Sequence, residues 1–192
     1  MPLTRPKKLL AGNLSGAVPS ANLSLGAADF PAGHILQVKR FSSTKTGATS
    51  QQTSYNWIDA GMEGSVTALG TNSIWAITGQ MWYASRYCPV SIDIWHKVGS
   101  SGTWDTWGGH GTSGGNETGS YGLGCTWNSS ASDIWQGNAQ HASGSVTHAV
   151  GDTCYFKLVF RRGGPGTDSE SGNVVAGHND TDMYLTVMEI KT

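Results

Sequence analysis

The strongest constraint on the fold is a period-2 alternation of apolar and polar residues that recurs between glycine-rich segments. The clearest example is PVSIDIWHKV (89–98), and DTCYFKLVFRR (152–162) repeats the pattern. Strands with one apolar face bury that face by packing one sheet against another. The alternation predicts two inward faces, made of Val90, Ile92, Ile94, His96 and Val98 in the first segment and of Cys154, Phe156, Leu158 and Phe160 in the second.

Further segments show the same alternation and are predicted to be strands. They are HILQVKRF (34–41), TSYNWIDA (53–60), SIWAI (73–77), QMWYA (80–84), YGLGCTW (121–127), SVTHAV (145–150), NVVA (173–176) and MYLTVMEI (183–190). Gly79 lies between two of these segments and is a candidate β-bulge. The whole set predicts an all-β chain of eight to ten antiparallel strands. We expect a two-sheet β-sandwich of jelly-roll type with an extended N-terminal arm.

The composition supports this fold class. Glycine contributes 27 residues and charged residues only 13%, whereas helix interiors favour Ala, Leu, Glu and Lys. Eight Trp, six Tyr and four Phe supply core material that a disordered chain lacks. The three cysteines, Cys88, Cys125 and Cys154, fit neither a disulfide framework nor a C-x-x-C metal site. We expect each of them to pack as a small apolar residue on a strand.

The first 33 residues form a separate N-terminal segment. They hold four of the six prolines, and proline is unfavourable in helix interiors and central strands. One interpretation is a disordered tail, and the other is an extended arm that lies on a partner and buries its leucines singly. We expect an anchoring arm at 1–33 and a β-sandwich body at 34–192, because a solvating tail does not need so many apolar groups. The predicted anchoring residues are Leu3, Arg5, Lys7, Lys8, Leu9, Leu10, Leu14, Val18, Leu23 and Leu25.

The overall charge bears on the classes of partner. A formal net charge of −1 provides no global field that would recruit nucleic acid or an anionic membrane. No apolar run reaches the length of a membrane helix, and Gly12 and Asn13 interrupt the stretch that a secretory leader would need. We therefore expect a soluble chain made in the cytoplasm, with no nucleic-acid partner and no membrane insertion.

The last predicted strand is apolar on both faces. Met183, Leu185 and Val187 alternate with a second set, which is Tyr184, Thr186, Met188 and Ile190. Such a strand either packs against a neighbouring subunit as well as its own core, or is covered on both sides within the monomer. The second set is the candidate subunit interface.

A long glycine-rich segment, residues 99–122, carries the candidate contacts to an outside surface: Trp104, Asp105, Trp107 and His110. Exposed aromatic rings in a loop can stack on sugar rings, and a carboxylate can accept hydrogen bonds from sugar hydroxyls. The alternative is that both tryptophans fold back to cover the sandwich or a trimer axis, because tryptophan is costly to leave in water.

Motifs for enzymatic chemistry are weak. The chain has no G-x-S-x-G element in a strand–turn–helix setting, and no phosphate-binding glycine loop with its lysine. The histidines are scattered without a short metal-ligand pairing, so we expect no metal and no cofactor. A glycosidase would need two carboxylates across a cleft, which remains a distant third interpretation. We expect a protein that is not an enzyme.

Several segments resemble a known family. PAGHILQV (31–38), CYFKLVFRR (154–162) and YLTVMEIKT (184–192) resemble a virion module of marine and cyanobacterial phages, found in short tail-fibre-like and capsid-associated proteins. The arm segment GNLSGAVPSANL (12–23) is similar to the stretches that precede such modules. The resemblance covers about half of the chain. It implies a trimeric β-sandwich that is tethered to a virion by its N-terminal arm.

Two functions are consistent with this resemblance. The first is a capsid decoration or cement protein, anchored on the major capsid protein or another virion protein and stabilising the head as a homotrimer. The second is a tail or head fibre that recognises a host surface glycan or protein. The chain is too short for a long shaft, so we expect the head before the tail. In either case the expected location is the virion, assembled in the host cytoplasm.

Overall fold

The computed structural model describes residues 30–45, 56–86, 89–106, 123–127, 134–162, 173–176 and 181–192. They form ten β-strands and no helix. The strands are β1 (Ile35–Lys45), β2 (Ile58–Thr67), β3 (Ile74–Arg86), β4 (Pro89–Val98), β5 (Asp105–Thr106), β6 (Gly124–Trp127), β7 (Ile134–Ser145), β8 (Thr153–Arg162), β9 (Asn173–Ala176) and β10 (Thr181–Ile190). Within the described part of the chain, no helix has the length and apolar character of a membrane span.

The strands form two antiparallel sheets that pack face to face. The first has the order β1-β10-β3-β7, and β9 continues the position of β10 along β3. The second has the order β2-β8-β4-β5, and β6 pairs with β4 ahead of β5. β9 and β10 share one position in the first sheet, and β5 and β6 share one position in the second. If each shared position is counted as one strand and the strands are renumbered from one to eight along the chain, the sheet orders become 1-8-3-6 and 2-7-4-5. This is a jelly roll, so the predicted all-β sandwich is confirmed.

The alternation of the sequence explains most of the core. In β8 the predicted inward residues Cys154, Phe156, Leu158 and Phe160 are all buried, and in β4 Val90, Ile92 and Ile94 are buried as predicted. Together with large residues of the first sheet, they form one continuous core between the sheets. The largest first-sheet members are Trp75, Ile77, Met81, Tyr83, Met183 and Leu185.

Cys154 behaves as the sequence predicts. It is a free cysteine, and burial raises the pKa of its thiol to about 12, with the carboxylates of Glu189 and Asp152 adding to the shift. A thiol in this state is a poor nucleophile and packs as a small apolar group. Cys88 lies outside the described residues.

Several strands differ from the sequence-based expectation, and β7 was not predicted. The predicted strand 53–60 is placed as β2, which begins at Ile58, and the predicted strand 145–150 largely follows β7 rather than forming a strand. Gly79 is not a bulge, because β3 pairs in unbroken register through it with both β10 and β7. The predicted strands on either side of Gly79 are therefore one strand.

Part of the predicted boundary between arm and body is visible at Phe30–His34. The backbone amide of Gly33 donates to the carbonyl of Lys191 at 2.8 Å, and the amide of Lys191 donates to the carbonyl of His34 at 2.8 Å. The Lys191 ammonium also donates to the carbonyl of Phe30. The chain thus enters the body beside the C-terminal end of β10. The predicted anchoring residues, Leu3 to Leu25, lie outside the described residues.

Candidate functional site

The outward side of the first sheet forms a broad surface, which we call the β10 face. It consists of the outward-facing side chains of β1, β10, β3 and β7. All four candidate interface residues of β10 lie on it and are half-buried, whereas Met183, Leu185 and Val187 point into the core. The four are Tyr184, Thr186, Met188 and Ile190.

Strand register aligns the β10 face into rows of uncharged side chains. One row runs Val38–Met188–Ala76–Ser143 across the four strands, and Val38 is 51% exposed. Among the described outward side chains of these strands, the charged ones are Arg40 and Asp182. Both contact Tyr184: the Arg40 guanidinium lies 4.2 Å from the ring centroid, and the Tyr184 hydroxyl donates to Asp182 at 2.8 Å.

The outward side of the second sheet is different, and we call it the aromatic–cation face. Register places Lys157 beside Trp95 and Lys97 beside Tyr155 on neighbouring strands. The Lys157 ammonium lies 5.4 Å from the Trp95 ring centroid and 4.4 Å from that of Trp104. The Lys97 ammonium lies 4.7 Å from Trp104 and 5.0 Å from Tyr155. Each cation therefore covers two rings.

Trp57 extends this layer toward β2. Its ring meets that of Trp95 edge-on at 6.0 Å, and the Arg161 guanidinium lies 5.0 Å from its centroid. Trp95 is only 7% exposed and its indole N–H donates to the carboxylate of Asp93 at 3.2 Å. The rings and cations cover one another, so much of this aromatic surface is already occupied by the protein's own side chains.

The predicted loop contacts divide between described and undescribed residues. Trp104 is half-buried and folds back onto the aromatic–cation face, as one of the two sequence interpretations proposed. Asp105 is exposed and begins β5, where its carboxylate accepts a hydrogen bond from the Thr106 amide at 2.8 Å. Trp107 and His110 lie outside the described residues.

A cavity of about 320 Å³ opens at the rim of the sandwich, where the β4–β5 edge of one sheet faces the end of β7 in the other. We call it the edge cavity. Its lining is His96, Lys97, Val98, Thr103, Asp105, Ser145, Val146 and Thr147. His96 and Asp105 are direct partners in the β4–β5 register. Burial lowers the pKa of His96, and the Asp105 carboxylate opposes part of that shift. The imidazole is therefore held in its neutral form at neutral pH.

A buried carboxylate that sequence reasoning missed ties β10 to the β2–β3 turn. Glu189 is 0% exposed and lies on the inward side of β10. It accepts hydrogen bonds from the side chains of Gln37 at 2.6 Å and Ser73 at 2.7 Å. The amides of Leu69 and Gly70 also donate to it, at 3.0 Å and 2.7 Å. With its acceptor sites occupied by the fold, this carboxylate is a structural anchor.

His148 completes the polar cluster next to Glu189. Its Nε2 accepts hydrogen bonds from the Ser73 amide and the Trp75 indole N–H, both at 3.1 Å. Its backbone amide donates to the Asn72 side chain at 3.1 Å. Asn72 has a φ of 50°, a left-handed conformation that asparagine tolerates better than most residues. The cluster therefore secures a turn of unusual geometry.

Within the described residues, no group of three or more His, Cys, Asp or Glu side chains is placed to hold a metal ion. Among the side chains that the structure describes, the first sheet presents a nearly uncharged outer face and the second a charged aromatic one, and the edge cavity lies between their rims. No protein-family model matches the chain, and no curated protein sequence matches it.

Proposed function

We propose that the chain is a phage virion structural protein that decorates the capsid. Three copies associate through the β10 face, and the N-terminal arm, residues 1–33, anchors each copy on the major capsid protein or another virion protein. The jelly roll itself is compatible with this role, since viral capsid domains use it, but other functions use it too. The proposal therefore depends on surface chemistry and not on the fold alone.

The observation that carries the proposal is the contrast between the two outer faces. The aromatic–cation face carries Lys97, Lys157 and Arg161, with Asp59 paired to Lys157 at 3.3 Å. The charges of the described β10 face are Arg40 and Asp182, and its other described side chains carry apolar groups, hydroxyls, the Gln80 amide and the His141 imidazole. The cores of protein interfaces are depleted of charge, because burying a charge without a partner is costly.

The position of the arm supports the same arrangement. Phe30 and Gly33 are held against Lys191, immediately after β10. A segment that enters the body at this point starts at the border of the β10 face, near Ile190. An arm and a trimer interface on one side of the body can both reach a capsid surface, whereas the aromatic–cation face lies on the other side of the body.

The first prediction concerns the subunit interface. Thr78 is exposed on β3 and lies between Thr186 and His141 in the register of the β10 face. Thr78→Lys places a charge in the proposed interface while leaving the monomer core untouched. We expect the wild-type chain to sediment with three times the mass of the 20.2 kDa protomer, and the variant to dissociate with at least about 100-fold weaker association. Analytical ultracentrifugation over a concentration series measures this.

Thr67→Lys is the matched control. It makes the same substitution at an exposed position of β2, in the other sheet. This variant should remain trimeric. A wild-type monomer, or a Thr78→Lys variant that associates as tightly as the wild type, would show that the β10 face is not the interface.

The second prediction concerns the arm. Deletion of residues 1–29 preserves Phe30 and its contact with Lys191. We expect the truncated chain to stay folded and trimeric but to lose binding to capsid shells that lack this protein, measured by co-sedimentation. Leu9→Ser with Leu10→Ser keeps the arm length and should weaken binding through lost apolar contacts. Full binding by the truncated chain contradicts anchoring by the arm.

A further inference from the structure

The edge cavity lies where the apolar core ends. His96 follows Ile92 and Ile94 on the inward side of β4, and the register places it between the buried Phe156 of β8 and the polar Asp105 of β5. The polar side chains of His96 and Asp105 therefore lie together at this end of β4, and the cavity is bordered by the buried Val146 and by the exposed Thr103, Ser145 and Thr147.

The residues that form the cavity wall are held in place by contacts within the protein itself. The loop after β4 is fixed by the Gly99 amide, which donates to Thr153 at 2.8 Å, and by the Lys97 ammonium, which donates to the Ser100 carbonyl at 3.0 Å. Trp104 lies between two lining residues in sequence and is held against Lys97 and Lys157. A side chain at Gly102 would collide with the Val98 carbonyl, so the turn requires glycine there. Pre-formed walls lower the entropic cost of binding.

The lining offers hydrogen-bond donors and acceptors in one small space. Thr103, Ser145 and Thr147 carry hydroxyls, Asp105 carries a carboxylate, and the neutral His96 ring carries one donor and one acceptor. Val98 and Val146 provide an apolar patch. This combination fits a compact ligand with several hydroxyls and an apolar C–H face.

We propose that the edge cavity binds one neutral pyranose unit of a saccharide. Its volume of about 320 Å³ lies at the lower end of the range of small-molecule sites, which suits one sugar ring. The exposed Asp105 carboxylate can accept hydrogen bonds from sugar hydroxyls and disfavours anions, because the ammonium of Lys97, the cationic lining residue, is directed to the Ser100 carbonyl and to the rings of Trp104 and Tyr155. A lipid or other apolar ligand would displace water from the hydroxyls and the exposed carboxylate without replacing its hydrogen bonds. The site adjoins the β10 face at Ser145, and sugar binding is measured separately from trimer mass and from arm binding.

The test is a titration of the purified full chain with D-glucose, D-galactose and D-mannose at millimolar concentrations. Amide chemical shifts in two-dimensional NMR report both affinity and position. We expect at least one of the sugars to bind and to shift the amides of Thr103–Thr106 and Ser145–Thr147. Asp105→Asn should weaken that binding at least about tenfold, because it removes a charge-assisted hydrogen bond. Thr103→Val, which keeps the side-chain shape, should weaken it less.

Glu63→Gln is the control for Asp105→Asn. It removes an exposed carboxylate from β2, at the opposite edge of the same sheet, and should leave sugar binding unchanged. The proposal is overturned if none of the three sugars binds, if Asp105→Asn binds as tightly as the wild type, or if the shifts map to the aromatic–cation face. The amide spectrum of each variant also shows whether it is folded.

Discussion

Glu189→Ala is expected to lower the free energy of unfolding by about 3–5 kcal/mol. The carboxylate accepts from Gln37, Ser73 and the amides of Leu69 and Gly70, and it is fully buried. Removing it leaves the buried Gly70 amide and Ser73 hydroxyl without their acceptor and opens a cavity between β10 and the β2–β3 turn. Urea denaturation followed by tryptophan fluorescence, at one fixed protomer concentration, measures the change.

Two further variants make this result specific. Glu63→Ala removes an exposed glutamate from β2 and should change stability by less than about 0.5 kcal/mol. Glu189→Gln keeps the shape but turns an amide NH₂ toward donors, so its loss should lie between the other two. If Glu189→Ala unfolds within about 1 kcal/mol of the wild type, the carboxylate is not the anchor of this turn.

Gly79→Val is expected to destabilise the protein by about 3 kcal/mol or more. A Cβ at Gly79 would lie 2.4 Å from Cδ2 of Leu158, in the opposite sheet, and Leu158 is fully buried. Close packing of the two sheets at this point depends on the missing side chain of β3, since a strand in regular register cannot move away from its neighbours on both sides. The same denaturation experiment measures the loss.

A second substitution identifies the cause of this loss. Leu158→Ala alone should cost about 2–5 kcal/mol as a cavity mutation, yet combined with Gly79→Val it should recover about 1–3 kcal/mol relative to the sum of the two single variants. The new valine then occupies part of the space that Leu158 vacates. Ser65→Val, at an exposed position of β2, is the control for valine in a strand. Simple additivity of the two core substitutions would refute the clash.

The strands that could be predicted are those with strong apolar alternation. The predicted limits 89–98 and 173–176 are those of β4 and β9, and β8 differs from its prediction by one residue at its start. β7 was missed because its inward positions include Gln140, Ala142 and Gly144, which show no apolar period. An edge strand at the rim of the core buries little side-chain volume, so it needs no large apolar residues.

The surfaces could be predicted only in part. The outward residues of β10 could be identified from the sequence, because they alternate with the inward residues within one segment. The same alternation accounts for their half-buried placement. The aromatic–cation face was not visible, because Trp57, Trp95 and Lys157 come from segments far apart in the chain. No local sequence pattern predicts which residues of neighbouring strands lie opposite each other.

The sequence by itself determined an all-β chain with two-faced strands, a low charge and a distinct proline-rich N-terminal segment. Those properties are local, because side-chain direction alternates with every residue and proline acts on its own backbone. Only the tertiary structure decided that the nearly uncharged outer face belongs to the sheet containing β10, that Gly79 makes room for Leu158, and that Glu189 is buried among donors. Strand pairing and packing between the sheets bring together residues that are far apart in sequence. These long-range contacts determine the neighbours of each side chain.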